Sequence, residues 1–173
     1  MRGPLSTWFL DDHRRLEALL NRSAVDPGRL DLEAYETFRG GLLRHIALEE
    51  KFLLPAVRRA HSGTPHPLAR RLRVDHGANS SHLVPTPNVE IVAELRSVLD
   101  PHNAVEEGEG GLYEGCDEQP AAEAMALLEG IQDYPAVEMA PHRDGRGVYR
   151  TGEDALRASA RQGDGTTQSP TGR

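Results

Sequence analysis

The chain has 173 residues, about the length of one domain, and its formal charge is −7 because 27 acidic residues outnumber 20 basic ones. This acidic balance argues against a nucleic-acid partner, which would need a basic patch. No apolar run approaches the ~18 residues needed to span a bilayer, and the N-terminal apolar stretch is too short for a signal peptide. A single cysteine, Cys116, excludes an internal disulfide and a thiolate metal cluster. We therefore expect a cytoplasmic protein with no nucleic-acid or membrane partner.

Apolar residues recur at helical spacing in four segments, which predict four long helices. The predicted helices span residues 5–21, 31–60, 67–83 and 89–110. Turns rich in proline, glycine or serine separate them, at residues 27–28, 62–65 and 85–88. Asn88 is predicted to cap the fourth helix. Pro101 lies inside that helix and predicts a bend just before His102.

The sequence becomes less regular after residue 118. A shorter helix is predicted at residues 120–133, a last one at about residues 151–160, and an extended stretch at Val148 and Tyr149. The remaining C-terminal residues are rich in Gly, Ser and Thr and are predicted to be flexible. The fold class is therefore all-α, with three regions: a four-helix bundle (1–118), a helical extension packed on it (119–161) and a tail (162–173).

Polar residues interrupt the apolar stripe of every long helix. Each stripe carries one histidine, and these are His13, His45, His76 and His102. Glu49 and Glu106 each follow a histidine by four residues, a spacing that puts both side chains on one helical face. Unpaired carboxylates inside a core are costly. A pair of metal ions would satisfy this set with four nitrogen donors and two bridging carboxylates. If the turns are hairpin bends, a rise of ~1.5 Å per residue brings the four sites close to one layer of an antiparallel bundle.

This order of residues resembles the hemerythrin HHE cation-binding domain family over about residues 5–118. The matching local sequences are Asp12-His13, His45-Ile-Ala-Leu-Glu49-Glu50, Asp75-His76 and His102-Asn-Ala-Val-Glu106-Glu107. The resemblance implies an up-down-up-down bundle that holds a non-haem di-iron centre with an oxo or hydroxo bridge. The ligands that it implies are His13, His45, Glu49, His76, His102 and Glu106.

The family includes several activities, and the ligand set bears on the choice among them. Its oxygen carriers have a second histidine on the third helix, where this chain has Ser80. Four histidines and two glutamates are more similar to the sensor and repair branches. We expect a protein that binds O2 or a similar diatomic molecule at open metal positions, as a sensor or carrier. The alternatives are a di-iron enzyme that acts on peroxide or nitric oxide or donates iron for iron–sulfur repair, and a zinc-bound or metal-free structural bundle. Zinc or manganese could substitute for iron.

Three further residues are candidates for a supporting role or an extra ligand, namely Glu17, Tyr113 and His142. Tyr113 follows Glu106 by seven residues and so shares its helical face, whereas His142 lies in a loop that could fold over the end of the bundle. His82 is expected to be exposed. Glu50 and Glu107 are expected to be solvated or paired with arginines.

Overall fold

The structure, a computed structural model, describes residues 2–24 and 28–165. Its helices are α1 (Pro4–Ser23), α2 (Leu32–Leu48), a π-helical segment (Glu49–Leu53), α3 (Leu54–Ala60), α4 (Ala69–His82), α5 (Val89–Glu107), α6 (Leu112–Cys116), α7 (Ala121–Asp133) and α8 (Gly152–Gly165). The described residues contain no β-strand, so the extended stretch predicted at residues 148–149 is instead irregular. Within the same residues, no helix combines the length and apolar character that crossing a bilayer requires. The prediction of an all-helical fold is confirmed.

Two apolar clusters form the core of the bundle, and the predicted metal ligands lie between them. Helix α1 packs against α2, and α4 packs against α5. On α1, Leu10 belongs to one cluster and Leu16 to the other, with His13 between them. On α2, Leu42 and Leu48 belong to different clusters on either side of His45. A buried polar layer therefore crosses an otherwise apolar bundle.

The second predicted helix, residues 31–60, is interrupted by the π-helical segment at Glu49–Leu53. Within it, the N–H of Leu54 bonds to the carbonyl of Glu49, five residues earlier. Pro55 follows in the first turn of α3 and has no N–H to close the next α-helical hydrogen bond. Isolated π-helical turns are often found at functional sites. Here the local widening begins at Glu49, one of the predicted ligands.

The fourth predicted helix corresponds to α5, which runs through Pro101 as one helix. The side chain of Asn88 accepts a hydrogen bond from the N–H of Ile91 at 2.8 Å, which confirms the predicted cap. Helix α6 begins close behind the end of α5. A Cβ at Gly111 would lie 2.3 Å from the carbonyl oxygen of Glu106, so this close approach requires glycine. The approach places Tyr113, on α6, beside the polar layer.

The C-terminal helices contact the bundle at two places. Helix α7 contacts α1, whereas α8 packs against α4 and α5. A Cβ at Gly77 would come within 2.2 Å of the Ser159 hydroxyl, which shows how closely α4 and α8 approach. Arginines of α2 hold the intervening chain, since Arg44 donates to the carbonyl of Tyr134 and Arg39 to that of Ala140.

The structure differs from the sequence prediction in the length of the last helix and in the exposure of His82. Helix α8 continues to Gly165, so the predicted tail begins inside a helix, and residues 166–173 lie outside the described part of the chain. His82 is fully buried at the end of α4, the helix against which α8 packs, rather than exposed. The predicted turn residue Pro27 also lies outside the described residues.

Candidate metal centre

The six predicted ligands converge in the polar layer. They come from α1, α2, the π-helical segment, α4 and α5, and every one of them is buried. Glu49 and Glu106 are completely inaccessible to solvent. The sequence spacing places His45 with Glu49, and His102 with Glu106, on one face of a helix. The packing of the helices against one another brings these faces together.

The donor atoms form two groups that share the two glutamates. The His13 group consists of His13, His45, Glu49 and Glu106, and the His76 group of Glu49, His76, His102 and Glu106. Within each group the four donor atoms lie within 4.8 Å of one another. In the His13 group, Nε2 of His45 is 3.1 Å from Oε1 of Glu49. In the His76 group, Nε2 of His76 is 3.0 Å from Oε2 of Glu49.

Several donor atoms have no hydrogen-bond partner among the described residues. These atoms are Oε2 of Glu49, Oε1 of Glu106 and Nε2 of His76. Buried polar atoms almost always find a partner, because leaving one unsatisfied is costly. Two carboxylates and four imidazoles, with no thiolate, suit iron, manganese or zinc. The residues present therefore fit a metal centre, and each of the two groups offers two nitrogen and two oxygen donors.

Each histidine also has a carboxylate on its other ring nitrogen. The Nδ1 atoms of His13, His45 and His76 lie 2.7–2.8 Å from Glu107, Asp12 and Glu50, respectively, and Nδ1 of His102 lies 3.4 Å from Asp75. An ionised carboxylate only accepts hydrogen bonds, so Nδ1 is the donor in His13, His45 and His76, and their Nε2 atoms are left for the centre. Nδ1 of His102 lies near Asp75 without a hydrogen bond between them. Carboxylates in this position orient metal-binding histidines and increase their basicity.

These four contacts run around the bundle in order. Asp12 of α1 contacts His45 of α2, and Glu50 of the π-helical segment contacts His76 of α4. Asp75 of α4 contacts His102 of α5, and Glu107 of α5 contacts His13 of α1. Glu50 is also 3.1 Å from Arg73, as the sequence led us to expect. The carboxylates were missed as partners of the histidines, although all four adjoin a ligand in the sequence.

Tyr113 contacts the His13 group directly. Its hydroxyl is 2.7 Å from Oε1 of Glu49 and 3.3 Å from Oε2 of Glu106, and it donates to these carboxylates. The same oxygen lies 2.9 Å from Nε2 of His13. Burial and the two neighbouring glutamates raise the pKa of Tyr113 well above its ordinary value, so the hydroxyl keeps its proton. Among the described residues the hydroxyl also lies 3.4 Å from Nε2 of His45 but makes no hydrogen bond to His76 or His102, so the two pairs of histidines differ.

The electrostatics of the centre favour protonated imidazoles in the absence of metal. Burial lowers the pKa of His45, but Glu49 and Asp12 outweigh it and raise the pKa to about 10. The same balance, with Glu49 and Glu50 as partners, raises the pKa of His76 to about 10. Burial opposes ionisation of Glu49, yet the histidines beside it lower its pKa well below the ordinary value. Without metal, protons on the imidazoles of His45 and His76 thus balance the charge of the glutamates, and metal binding would release these protons.

The other two candidates lie away from the donor atoms. Glu17 is exposed on α1. His142 is hydrogen-bonded through Nε2 to Glu36 and packs 6.2 Å from the ring of Tyr35. Of the three supporting candidates, Tyr113 is thus the one whose side chain is hydrogen-bonded to predicted ligands in the described structure.

Comparison with known proteins identifies the family. The family model of the hemerythrin HHE cation binding domain matches residues 5–109, which is more than half of the chain. No curated protein and no solved structure matches the chain closely enough to be counted as similar. The matched region contains all six residues of the two donor groups. The chain belongs to the hemerythrin HHE cation-binding domain family.

Proposed function

We propose that this protein is a di-iron protein that binds O2 or a related small diatomic molecule, as an oxygen or redox sensor or carrier. The observation that carries the proposal is the sharing of Glu49 and Glu106 by two donor groups. Oε1 of Glu49 is 3.1 Å from His45 of one group and Oε2 is 3.0 Å from His76 of the other, an arrangement that suits two neighbouring cations. The proposal includes an antiparallel up-down-up-down arrangement of α1, α2 with α3, α4 and α5, which would bring four histidines to one layer.

Zinc and iron would differ in what four protein donors leave open at each ion. Four protein donors complete the tetrahedral shell of a structural zinc ion. Iron commonly takes five or six ligands, so four protein donors would leave one or two positions open. When bound, two iron ions would supply those open positions and the electrons for a redox-active small ligand. The residues of the chain then determine what reaches the ions and where protons are held.

Residues around the donors support a dry and rigid site. The ring of Phe9 packs edge-on to His45, with 5.3 Å between centroids, and covers one side of the centre. The carboxylates hydrogen-bonded to Nδ1 hold the imidazoles of His13, His45 and His76 in one orientation. Tyr113 holds a proton at its hydroxyl oxygen, next to Glu49. An apolar surrounding limits water at the site, as a binding protein for a small neutral gas requires.

A second candidate function is an enzyme that reduces peroxide or nitric oxide with electrons from an external reductant. The hydroxyl of Tyr113 favours it, because reduction of either molecule consumes protons and this hydroxyl lies 2.7 Å from Glu49. A carrier or sensor returns its ligand unchanged, whereas an enzyme consumes it over many turnovers.

The test is a spectrum of the reduced protein before and after exposure to O2. We expect a visible charge-transfer band that appears with O2 and disappears when O2 is removed. The matched control is the Glu49→Gln variant, which should show no band because it lacks a shared carboxylate. A zinc-bound or metal-free bundle would give no band in either protein. Continuous consumption of peroxide or nitric oxide would support the enzyme instead.

A further inference from the structure

A cavity of about 230 Å³ lies beside the metal centre. His13, His45 and His102 form its inner end. Part of its wall is aliphatic and aromatic, from Leu16, Leu20, Phe38, Leu42, Ile46 and Leu99, and polar residues line the rest. A volume of this size exceeds what a diatomic molecule needs. An engineered apolar cavity of roughly 150 Å³ in another protein holds benzene.

Asn79 is a buried polar residue of the cavity wall that is not one of the predicted metal ligands. It lies on α4, lines the cavity and has no accessible surface. Both its Oδ1 and its Nδ2 lack a hydrogen-bond partner among the described residues. Buried amides are normally satisfied, so an unpartnered amide facing a cavity indicates a missing partner inside it. An amide can both donate and accept, so hydroxyl and carbonyl groups both qualify.

The rim of the cavity restricts the charge of what can enter. Three acidic side chains line it near the surface, from Glu17, Asp100 and Glu107, beside one cation, Arg96. The guanidinium of Arg96 donates to the side chain of Asn21 at 2.7 Å. An organic anion would meet repulsion from the three carboxylates and a desolvation cost against the apolar part of the wall. The cavity therefore suits a neutral molecule.

We propose that this cavity binds a small neutral organic molecule, apolar except for one hydroxyl or carbonyl group that hydrogen-bonds to Asn79. Scaling from benzene in a ~150 Å³ cavity gives an upper size of about nine non-hydrogen atoms. Phenol and short branched alcohols or ketones fit this description. The ligand would lie against the imidazoles of the metal centre, so the protein would respond to, or act on, an organic molecule as well as a diatomic one. The proposal goes beyond diatomic binding, and its test needs no reaction at the metal.

Calorimetric titration of the purified protein with phenol and toluene tests the proposal. Phenol and toluene should each bind once per chain. In Asn79→Leu, which replaces the amide with an aliphatic group of similar size, phenol should bind about fivefold more weakly, the value of one net hydrogen bond. Toluene should bind that variant as it binds the parent protein.

Two matched variants separate filling of the cavity from general damage to the core. Leu20→Phe should abolish binding of both probes, because the larger ring occupies the cavity. Leu5→Phe adds the same volume on the same helix, in the other apolar cluster, and should leave binding unchanged. Metal content and circular dichroism verify that each variant is folded and loaded.

Three results would overturn the proposal. These are the absence of phenol and toluene binding to the parent protein, equal binding by Leu20→Phe, and equal phenol affinity in the parent and Asn79→Leu. Refutation of the cavity ligand can be distinguished from refutation of the proposed di-iron function. A protein that contains iron and responds to O2 but binds neither probe would refute only the cavity ligand, and a protein that binds phenol without iron would refute only the di-iron function.

Discussion

Nδ1 of His45 donates a hydrogen bond to Oδ2 of Asp12 at 2.8 Å and so joins α2 to α1 at the metal centre. The other oxygen of Asp12 accepts from Nε of Arg15 at 2.7 Å. Asp12 thus fixes the tautomer of His45 and directs Nε2 at the donor group. Glu107 and Glu50 do the same for His13 and His76, which makes these ligands dependent on a neighbouring helix.

Replacing Asp12 by asparagine should weaken metal binding by about 10–100-fold, because orienting carboxylates of metal-binding histidines typically contribute that much. Competition with a chelator of known affinity measures the change. Asp11→Asn is the matched control, since Asp11 is exposed and its salt bridge is to Arg14 only. Equal metal affinity in Asp12→Asn and the parent protein would show that this contact does not position His45.

Replacing a glutamate that belongs to both donor groups should remove more metal than replacing a histidine that belongs to one group. Glu106→Gln should lose metal from both groups, whereas His76→Ala should lose it mainly from one. Metal analysis by mass spectrometry, with Glu109→Gln as an exposed control three residues further on, measures this difference. Full metal occupancy in Glu106→Gln would refute the shared-carboxylate arrangement.

Metal uptake at neutral pH should release more than one proton per chain. The pKa values of His45 and His76 are raised to about 10 and that of His102 to about 9, so all three imidazoles hold protons at pH 7 when no metal is present. Metal binding displaces those protons, and the apparent affinity should therefore increase as pH rises from 7 towards 9. Zinc titrations in two buffers with different ionisation enthalpies measure the protons released. A binding enthalpy that does not depend on the buffer would contradict this prediction.

His82 should make the fold less stable at acidic pH. Burial lowers its pKa, so below the ordinary value of about 6.5 the unfolded chain binds a proton that the folded chain does not. Stability is therefore intact above that value and falls as pH decreases, by at most about 1.4 kcal/mol per pH unit for one proton. The slope ends at the lowered pKa of the folded state.

The variant His82→Leu isolates this contribution. Chemical unfolding of the zinc-loaded protein between pH 5 and 7.5 should show a shallower pH dependence in His82→Leu than in the parent protein. Loss of metal at low pH affects both proteins and cancels in the difference. His61→Leu, at an exposed position, should keep the parental slope. Parallel slopes in all three proteins would mean that His82 is protonated in the folded state.

The positions of the helices and the burial of the histidines and glutamates on their apolar stripes were predictable, because both depend on the spacing of residues within one helix. A histidine or glutamate on an apolar stripe, such as His45 with Glu49, has to enter the core wherever the neighbouring helices lie. The family comparison and the all-helical structure confirm the family and the fold class. Assignment of the six residues as ligands stays a prediction until metal is measured.

The remaining features depend on contacts between distant segments, and sequence spacing does not encode them. Glu50 and Glu107 lie off the stripe, and only the docking of α4 and α1 brings His76 and His13 to them. His82 was expected to be exposed because the packing of α8 on α4 could not be foreseen. The π-helical segment has a local signal in Pro55, which interrupts α-helical bonding one turn beyond Glu49.

The central claim is a two-metal centre built on shared glutamates, and the metal content of each chain tests it most directly. Protein expressed with iron and purified without oxygen should contain about two iron ions per chain. Glu49→Ala should contain almost none, while Glu33→Ala, an exposed substitution in the first turn of α2, should match the parent. Folded parent protein with one iron ion or none, or full iron content in Glu49→Ala, would contradict the account.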